Sequence, residues 1–589
     1  MAERRTKKLI NNPDDVISQM LDGVAGAHPA LLRVEGRARR AVVAVDGPRD
    51  GKVAVVVGGG SGHEPAFFGY VGRGLADAAA IGNVFASPSP EQAAEAARAV
   101  DGGAGVLFIY GNYTGDVMNF DMAAELLAGD GIEARSVQVT DDVASASPER
   151  RHERRGIAGD GFVFKIAGAA ADLGHDLNGV ERLARHANRH TASMGVALTP
   201  CSLPQTAVPN FEIGDGEMEI GMGLHGEPGI SRVPLESADS VADRLLDPIL
   251  DDLALAEGER VVVMVNGLGA TPQMELYILH RRVKARLDEV GVAIHRSFVG
   301  EYATSLEMGG ASVTVMKLDA ELKALLDHPC HSLAWCHGAP AAPSSAGLSH
   351  RRHEHARRAD VQDDAALRDD GDITPAGFRS MMLGAAESIA HEKDRLSALD
   401  GVIGDGDHGV TMDMGWRAIV AALNAQPEGA TVTAQCRVAS SAFLEAVGAS
   451  AGPLYATAFL KAAEAVRDRR NLDAGAVARL VAAMAEGIAG RGGAVSGDKT
   501  MLDAWLPASE VAASIASRGG STADCLSGAA EAAAQGARRT ADLVARKGRS
   551  AKLGERGLGH VDAGAASAAV ILAAWSASLS TLQHEEDAG

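Results

Sequence analysis

The nine residues GMGLHGEPG, 221–229, place one histidine and one glutamate in a run that is otherwise glycine, methionine, leucine and proline. Four glycines allow a backbone to approach a bound molecule more closely than side chains would permit. The run therefore predicts a loop shaped around a small molecule at His225. A surface turn that happens to contain a histidine is the alternative.

A second candidate site is acidic. The segment LDGVIGDGDHG, 399–409, brings Asp400, Asp405 and Asp407 together with His408 between a predicted helix end and a glycine turn. Carboxylates this close repel each other, and a divalent cation relieves the repulsion. Because Mg²⁺ prefers a few carboxylates plus phosphate oxygens, the segment indicates a site for Mg²⁺ and ATP. An Asp-Gly-Asp turn that only caps backbone groups is the alternative.

Three neighbouring segments favour phosphate binding. GASAGPLYAT, 448–457, predicts a small-residue turn that enters a helix, where free N–H groups can receive phosphate oxygens. SGDKTMLDAW, 496–505, and GRSAKLGERGLGHVDAG, 548–564, follow, and the last supplies the cations Arg549 and Arg556. The P-loop pattern and the protein-kinase signatures are absent from the sequence, so a nucleotide site here is unconventional.

The residues up to 336 predict an α/β domain. Apolar runs of strand length followed by glycine turns and Ala-rich helical stretches occur at 53–65, 103–116 and 259–272. Such alternation indicates βα units around buried sheets.

The residues from 372 to 589 predict an all-α domain. Ala-rich segments at 375–400, 474–491 and 521–547 carry apolar residues at three- and four-residue spacing, and strand signals vanish. Between the two domains, 337–371 is rich in Pro, Ala and Ser and then in basic and acidic residues, which indicates a linker. The domains are therefore predicted as 1–336 and 372–589.

Composition excludes several classes of function. A chain of 589 residues with a formal net charge of -21 repels phosphate polymers and anionic membrane surfaces, so neither nucleic acid nor membrane is expected as a partner. Five cysteines without paired metal spacing indicate free thiols in a reducing cytoplasm. We expect a cytoplasmic protein without a signal peptide or a spanning segment.

The sequence closely resembles the dihydroxyacetone kinase family in its single-chain, ATP-dependent form. In the first domain the resemblance rests on motifs such as KKLINNPDDV, GGGSGHEPAFFGYVG, NYTGDVMNF, GMGLHGEPGI and TSLEMGGASVTVMKLD. In the second it rests on IGDGDHG, GDKTMLDAWLPA and LGERGLGHVDAGA. These motifs occur in the family's order and span nearly the whole chain.

The resemblance implies the roles of the first domain's residues. His225 is expected to form a covalent hemiaminal with the ketose carbonyl carbon, which is reasonable because a neutral imidazole is nucleophilic near neutral pH. His63 and Asp116 match the pair that contacts the substrate hydroxyls and assists deprotonation of the attacking oxygen. Gly60 matches a backbone contact to the ketose. The implied fold of this domain is two α/β subdomains.

For the second domain the resemblance implies a barrel of eight helices that binds ATP. Asp400, Asp405 and Asp407 would be the ligands of a Mg²⁺ pair that bridges the phosphates. The implied partner is a second copy, in a homodimer that brings together the domains of different protomers. The remaining nucleotide contacts implied by the motifs are His408, Thr411, Ser450, Ala451, Gly452, Met501 and Arg549.

The sequence also departs from the family pattern. Gly111 stands where members that use dihydroxyacetone usually carry a lysine close to the substrate, and Phe67 and Phe68 alter the wall beside His63. These changes resemble the erythrulose kinase branch, so erythrulose is expected at least as strongly as dihydroxyacetone. Ala451 and Thr411 replace the usual Ser and Asn, and they remove no metal carboxylate.

Three other functions remain open at this stage. One is a ketose kinase that draws phosphate from a phosphotransferase-system carrier protein instead of free ATP. Another is a ketose-binding regulator without catalysis, because fold alone does not establish function. Cyclisation of FAD-type nucleotides at the same metal site is a conceivable side activity.

Overall fold

The computed structural model describes residues 6–338, 369, 371–404, 406–427 and 429–588, with the side chains of 549, 552, 553 and 580–588 excepted. Most of the predicted linker, 337–371, lies outside these residues. All five cysteines are unpaired thiols, as predicted. No helix in the described part of the chain combines the length and apolarity needed to cross a membrane.

The first β-branched run forms the centre of a six-stranded sheet. Its strand order is β1-β2-β4-β3-β5-β6, and β4, β3, β5 and β6 run parallel. Buried apolar residues cover both faces, which explains the continuous Val and Ala runs. The strands are β1 (Leu32–Glu35), β2 (Ala41–Ala44), β3 (Ala54–Ser61), β4 (Ala78–Val84), β5 (Val106–Gly111) and β6 (Ala134–Val139).

Helices flank this sheet and connect it to the next one. The helices are α1 (Val16–Ala27), α2 (Pro90–Val100), α3 (Thr114–Gly129), α4 (Asp160–Asp172) and α5 (Leu177–Arg189). The start of α3 follows β5 after two residues, so a side chain in its first turn lies at the carboxyl edge of the parallel strands. Ligand sites in such sheets form at this edge.

A second six-stranded sheet completes the α/β domain, with the order β11-β10-β12-β7-β8-β9. Only β10 and β11 pair in parallel; the other neighbours are antiparallel. The strands are β7 (Thr191–Thr199), β8 (Glu217–Ile220), β9 (Ser231–Pro234), β10 (Arg260–Gly267), β11 (Ala293–Gly300) and β12 (Gly309–Lys317). The helices are α6 (Ala238–Leu253), α7 (Gln273–Glu289) and α8 (Ala320–Asp327), followed by a hairpin of β13 (Cys330–His331) and β14 (Cys336–His337).

The described residues after 371 form helices and contain no strand, as predicted. Each helix packs on the next one, and the last packs on the first, so the helices close into a ring around a separate apolar core. They are α9 (Pro375–Ile403), α10 (His408–Asn424), α11 (Val432–Ala446), α12 (Ala451–Ala465), α13 (Ala474–Gly492), α14 (Leu502–Ser517), α15 (Thr522–Arg539) and α16 (Ala563–Ala588).

The fully buried helix α4 depends on one glycine. A Cβ added at Gly168 would lie 2.3–2.5 Å from backbone atoms of Leu75, which cannot move as a flexible side chain can. Gly23 in the exposed part of α1 has no atom within 4 Å of the corresponding position. The two helical glycines therefore differ only in what surrounds them.

We expect Gly168→Ala to lower the free energy of unfolding by about 1–3 kcal/mol, because the added methyl group overpacks the core. Gly23→Ala is the matched control. It is expected to be neutral or to stabilise by up to about 1 kcal/mol, because alanine is the better helix former. Denaturant unfolding of both variants measures the difference. Equal stabilities would contradict the packing around α4.

Candidate active site

His225 lies in the loop between β8 and β9, where it faces His63 from the loop that follows β3. The two Nε2 atoms are 3.1 Å apart, although the residues are separated by 162 positions in the sequence. His63 is 3% exposed and His225 is 6% exposed. The fold therefore encloses two predicted site residues in one buried contact.

Aromatic rings fix the orientation of this histidine pair. Phe85 stacks on His63 with ring centroids 5.1 Å apart and meets His225 edge-on at 5.2 Å. Tyr113 also meets His225 edge-on, at 4.8 Å. Both imidazoles are held in place by apolar surfaces, with their Nε2 atoms turned toward each other.

Hydrogen bonds at the other ring nitrogens determine where the protons are. His63 Nδ1 lies 2.8 Å from the carbonyl oxygen of Thr304, and His225 Nδ1 lies 3.0 Å from Oε1 of Glu227. Both partners are acceptors, so both Nδ1 atoms carry hydrogen. Two bare Nε2 lone pairs at 3.1 Å would repel each other, so the contact requires one further proton between them.

The glycines of the loop let Glu227 fold back under His225. Oε2 of Glu227 accepts the backbone N–H of His225 at 3.0 Å. A Cβ at Gly223 would lie 2.2 Å from this same oxygen, and Gly226 has a φ of 83°, which favours glycine. The Gly-rich run is thus shaped around its own glutamate as well as around His225.

Glu227 is in turn held by a buried arginine. Arg155 Nη1 lies 3.9 Å from Oε2 of Glu227, and Arg155 Nη2 lies 2.7 Å from Oδ2 of Asp142. Burial disfavours the guanidinium charge, but the charges of Asp142 and Glu227 outweigh it and raise the pKa of Arg155. The Arg155 guanidinium therefore places a positive charge beside the carboxyl group of Glu227.

Asp116, Gly60 and Gly111 lie at the carboxyl edge of the first sheet. Asp116 is buried in the first turn of α3, and Gly111 ends β5. A Cβ at Gly60 would meet backbone atoms of Phe85 and Ala86 at 2.8–3.0 Å, so glycine is required there. The parallel strands β3 and β5 are neighbours, which brings these residues to one edge.

The acidic segment forms a compact turn at the end of α9. Oδ2 of Asp400 accepts the backbone N–H groups of Asp407 at 3.1 Å and His408 at 3.3 Å. Oδ2 of Asp407 is buried without a hydrogen-bond partner among the described residues. Burial and the charge of Asp400 raise the pKa of Asp407 well above its usual range. The described residues contain no group of three or more metal-ligating side chains, but this carboxylate pair with one unpartnered oxygen offers the donor type that a divalent cation takes.

Asp405, the third predicted ligand, lies outside the described residues. Another carboxyl group, that of Asp562 just before α16, lies close enough to Asp400 for the two charges to interact. The sequence did not point to this residue. Burial and the charges of Asp400 and Asp503 raise the pKa of Asp562 to about 7. The motif GLGHVDAG contains Asp562, but spacing along the chain cannot show that α16 returns to α9.

The predicted nucleotide contacts lie where several helices begin. His408 Nε2 lies 2.9 Å from Oγ of Ser567 in α16, and burial lowers the pKa of this imidazole. Met501, directly before α14, packs near Gly564 at the start of α16. Thr411 is buried in α10, whereas the side chain of Arg549 is not described. Helix N-termini that converge in this way favour phosphate.

The two domains meet at the turn that precedes α12. The start of α12 is formed by Ser450, Ala451 and Gly452. A Cβ at Gly115 would lie 3.3 Å from the backbone nitrogen of Ser450. Asn119 of α3 donates a hydrogen bond to the carbonyl oxygen of Gly448. The turn before α12 therefore lies against the first turn of α3, which carries Asp116, within one chain.

A third contact joins the helical domain to the histidine loop. Arg556 Nη1 lies 3.4 Å from the carbonyl oxygen of Gly229. Asn210, which donates to the carbonyl oxygen of His225 at 2.9 Å, lies next to Gly401 at the end of α9. The helical domain thus touches the segments around His225 at Arg556 and at Gly401.

Two domain families match the chain, the Dak1 domain over residues 22–334 and the DAK2 domain over residues 402–577. The chain belongs to the dihydroxyacetone kinase family. It is 41% identical to the D-erythrulose kinase of Mycolicibacterium smegmatis over 96% of this chain and 97% of that protein. It is 38% identical to the L-erythrulose kinase of Pectobacterium atrosepticum, over 97% and 96% of the two chains.

A solved dihydroxyacetone kinase has the same two kinds of domain. The enzyme from C. freundii in complex with AMP-PNP and Mg²⁺ is 31% identical, covers 97% of this chain and all of its own, and has a TM-score of 0.52. The mixed α/β domain and the helical domain therefore match the dihydroxyacetone kinase fold, as predicted.

For this dihydroxyacetone kinase family member, we expect Glu227→Ala to lower kcat/KM for ketose phosphorylation on the order of 100-fold. Without the carboxylate, His225 loses the partner that fixes its Nδ1 hydrogen and its orientation, and small misplacements have effects of this size. Coupled ADP release measures the rate. Glu217→Ala, an exposed residue of β8, is the control and should leave kcat/KM unchanged. Equal rates in the two variants would show that Glu227 does not position His225.

Proposed function

We propose that the protein is a kinase that transfers the γ-phosphoryl group of ATP to a primary hydroxyl of dihydroxyacetone or erythrulose. The observation that carries this proposal is the buried contact between His225 and His63, beside Asp116, in a chain of this family. Family membership supports the reaction class. The geometry supports the roles of the individual residues.

The first proposed step anchors the ketose on His225. The Nε2 lone pair of His225 attacks the carbonyl carbon and forms a C–N bond. The carbonyl oxygen takes the proton that His63 Nε2 holds, which completes a hemiaminal. The imidazole that results is positively charged at first, and Glu227 lies 3.0 Å from its Nδ1 to compensate that charge.

The second proposed step transfers the phosphoryl group. Asp116 accepts the proton of the attacking hydroxyl, and the hydroxyl oxygen forms a bond to the γ-phosphorus as ADP leaves. The start of α12, which lies against α3, offers backbone N–H groups to the phosphates. Buried walls around the histidine pair exclude water, which would otherwise compete for the phosphoryl group.

The helical domain supplies the nucleotide half of the proposal. We propose that its ring of helices is the eight-helix barrel of the family and that Asp400, Asp405 and Asp407 hold Mg²⁺. The unpartnered Oδ2 of Asp407 supports a cation there. Bound Mg²⁺ would neutralise charge on the ATP phosphates. His408, Thr411, Ser450, Met501 and Arg549 are the proposed nucleotide contacts, with Ala451 and Gly452 in the turn.

We further propose that transfer takes place within one chain. The contacts of Asn119 with Gly448 and of Arg556 with Gly229 support this arrangement. The homodimer and the cytoplasmic location stay predictions. A homodimer is compatible with transfer inside each protomer.

We expect His225→Ala to lower ATP-dependent phosphorylation of dihydroxyacetone by at least about 1,000-fold, because covalent anchoring orients the hydroxyl for attack. ADP release with dihydroxyacetone, D-erythrulose and L-erythrulose measures the activity. Wild-type protein should not phosphorylate glycerol, which has no carbonyl group for His225 to attack.

His280→Ala serves as the control because this histidine lies on α7, away from the site, and contacts Ser297. It should retain wild-type rates. An active His225→Ala variant, or efficient phosphorylation of glycerol, would contradict the covalent anchor. A wild-type protein that phosphorylates no ketose would contradict the proposed substrate class.

A further inference from the structure

Gly111 lies between two polar side chains beside the histidine pair. A Cβ at this glycine would lie 3.2 Å from the ring of Tyr113 and 3.4 Å from Oδ2 of Asp160. Tyr113 precedes α3, and Asp160 is the first residue of α4. The absence of a side chain at 111 leaves open the space between the Tyr113 ring and the Asp160 carboxyl group at the carboxyl edge of the sheet.

Both side chains contain a buried polar atom without a partner. Oη of Tyr113 and Oδ1 of Asp160 make no hydrogen bond within the part of the chain that the structure describes. Asp160 is only 6% exposed. An unpartnered buried polar atom is destabilising, and its presence in a native site calls for an explanation.

The ring of Tyr113 contacts both the space beside Gly111 and His225, the proposed covalent anchor. The ring meets His225 edge-on with ring centroids 4.8 Å apart, so the Tyr113 hydroxyl belongs to a side chain in direct contact with the anchor. A three-carbon ketose has hydroxyls only on the carbons next to the carbonyl. A four-carbon ketose has one further hydroxyl-bearing carbon, which must be placed against a wall of the site.

We propose that Tyr113 Oη and Asp160 Oδ1 form a subsite that binds the additional hydroxyl of a four-carbon ketose. This inference rests on the proposed function and names its substrate class as a tetrulose. A hydroxyl both donates and accepts, so it satisfies a phenol and a carboxyl group at the same time.

The protonation of the two groups agrees with this assignment. Burial, together with the charges of Asp141 and Asp116, raises the pKa of Asp160 well above its usual range. Burial and the charge of Glu227 raise the pKa of Tyr113, although the charge of Arg155 opposes this shift. In both groups burial favours the form that carries hydrogen, and this form can donate to a substrate oxygen.

The structure offers a second explanation for Asp160, since acidic residues in a first helical turn interact favourably with the helix dipole. Loss of this role would lower the stability of the protein and would reduce kcat/KM for all substrates by the same factor. A subsite affects only substrates that carry the extra hydroxyl. The ratio of kcat/KM for erythrulose to kcat/KM for dihydroxyacetone separates the two roles.

The test measures this ratio for wild type, Tyr113→Phe and Asp160→Asn, with ADP release as the readout and both enantiomers of erythrulose as substrates. Tyr113→Phe removes only the unpartnered hydroxyl and leaves the ring against His225. Tyr110→Phe is the matched control, because it removes a buried phenol hydroxyl that contacts Gln138 instead.

We expect the ratio to fall on the order of ten-fold in Tyr113→Phe for the preferred enantiomer, because this variant loses a hydrogen bond to a buried substrate hydroxyl. The fall should be smaller in Asp160→Asn, because the amide can still donate and accept a hydrogen bond there. Tyr110→Phe should leave the ratio unchanged. The loss should appear with little change in kcat/KM for dihydroxyacetone.

Equal losses for erythrulose and dihydroxyacetone, or an unchanged ratio in both variants, would overturn the subsite while the proposed function stands. Failure of wild-type protein to phosphorylate any ketose would overturn the proposed function itself. The dihydroxyacetone measurement distinguishes these two results. If Asp160→Asn fails to fold, Tyr113→Phe alone decides the question.

Discussion

The contact between the turn before α12 and the first turn of α3 is the constraint on which the proposed reaction depends. Each domain has its own apolar core, so neither needs the other in order to bury its hydrophobic residues. Phosphoryl transfer nevertheless requires the nucleophile and the phosphate in line at contact distance. The hydrogen bond from Asn119 to Gly448 joins this turn to the helix that carries Asp116, which is the arrangement that the proposed transfer requires.

Buried charged groups around the histidine pair are arranged so that each one opposes the charge of the next. The histidine pair needs a shared proton, Glu227 faces that pair, and Arg155 with Asp142 lies behind Glu227. Each group is tolerated in the interior because the next one opposes its charge. In the helical domain, burial and the charge of Asp400 raise the pKa of Asp407, and the Lys499 charge only partly opposes the raised pKa of Asp562. Mg²⁺ is proposed beside them, at Asp400, Asp405 and Asp407.

Much of the fold could be predicted from residue patterns. The β-branched runs became β3, β5 and β10, and the Ala-rich segments became α9, α13 and α15. The Gly-rich loop pointed to His225, while the roles of His63 and Asp116 came from the family resemblance. Neither the contact of His63 with His225 nor the approach of Asp562 to Asp400 could be predicted, because both depend on how distant strands and helices pack together. Nor could the sequence decide whether the two domains of one chain meet.

The most direct test of transfer within one chain is co-expression of His225→Ala and Asp407→Asn chains that carry different affinity tags, followed by isolation of assemblies that contain both. Each chain then lacks one half of the proposed reaction. Transfer within a chain predicts that the mixed assembly phosphorylates dihydroxyacetone no faster than the sum of the two separate variants. Restoration of about a quarter or more of the wild-type rate would contradict this account, because in a symmetric dimer it requires the intact halves of two different protomers to work together.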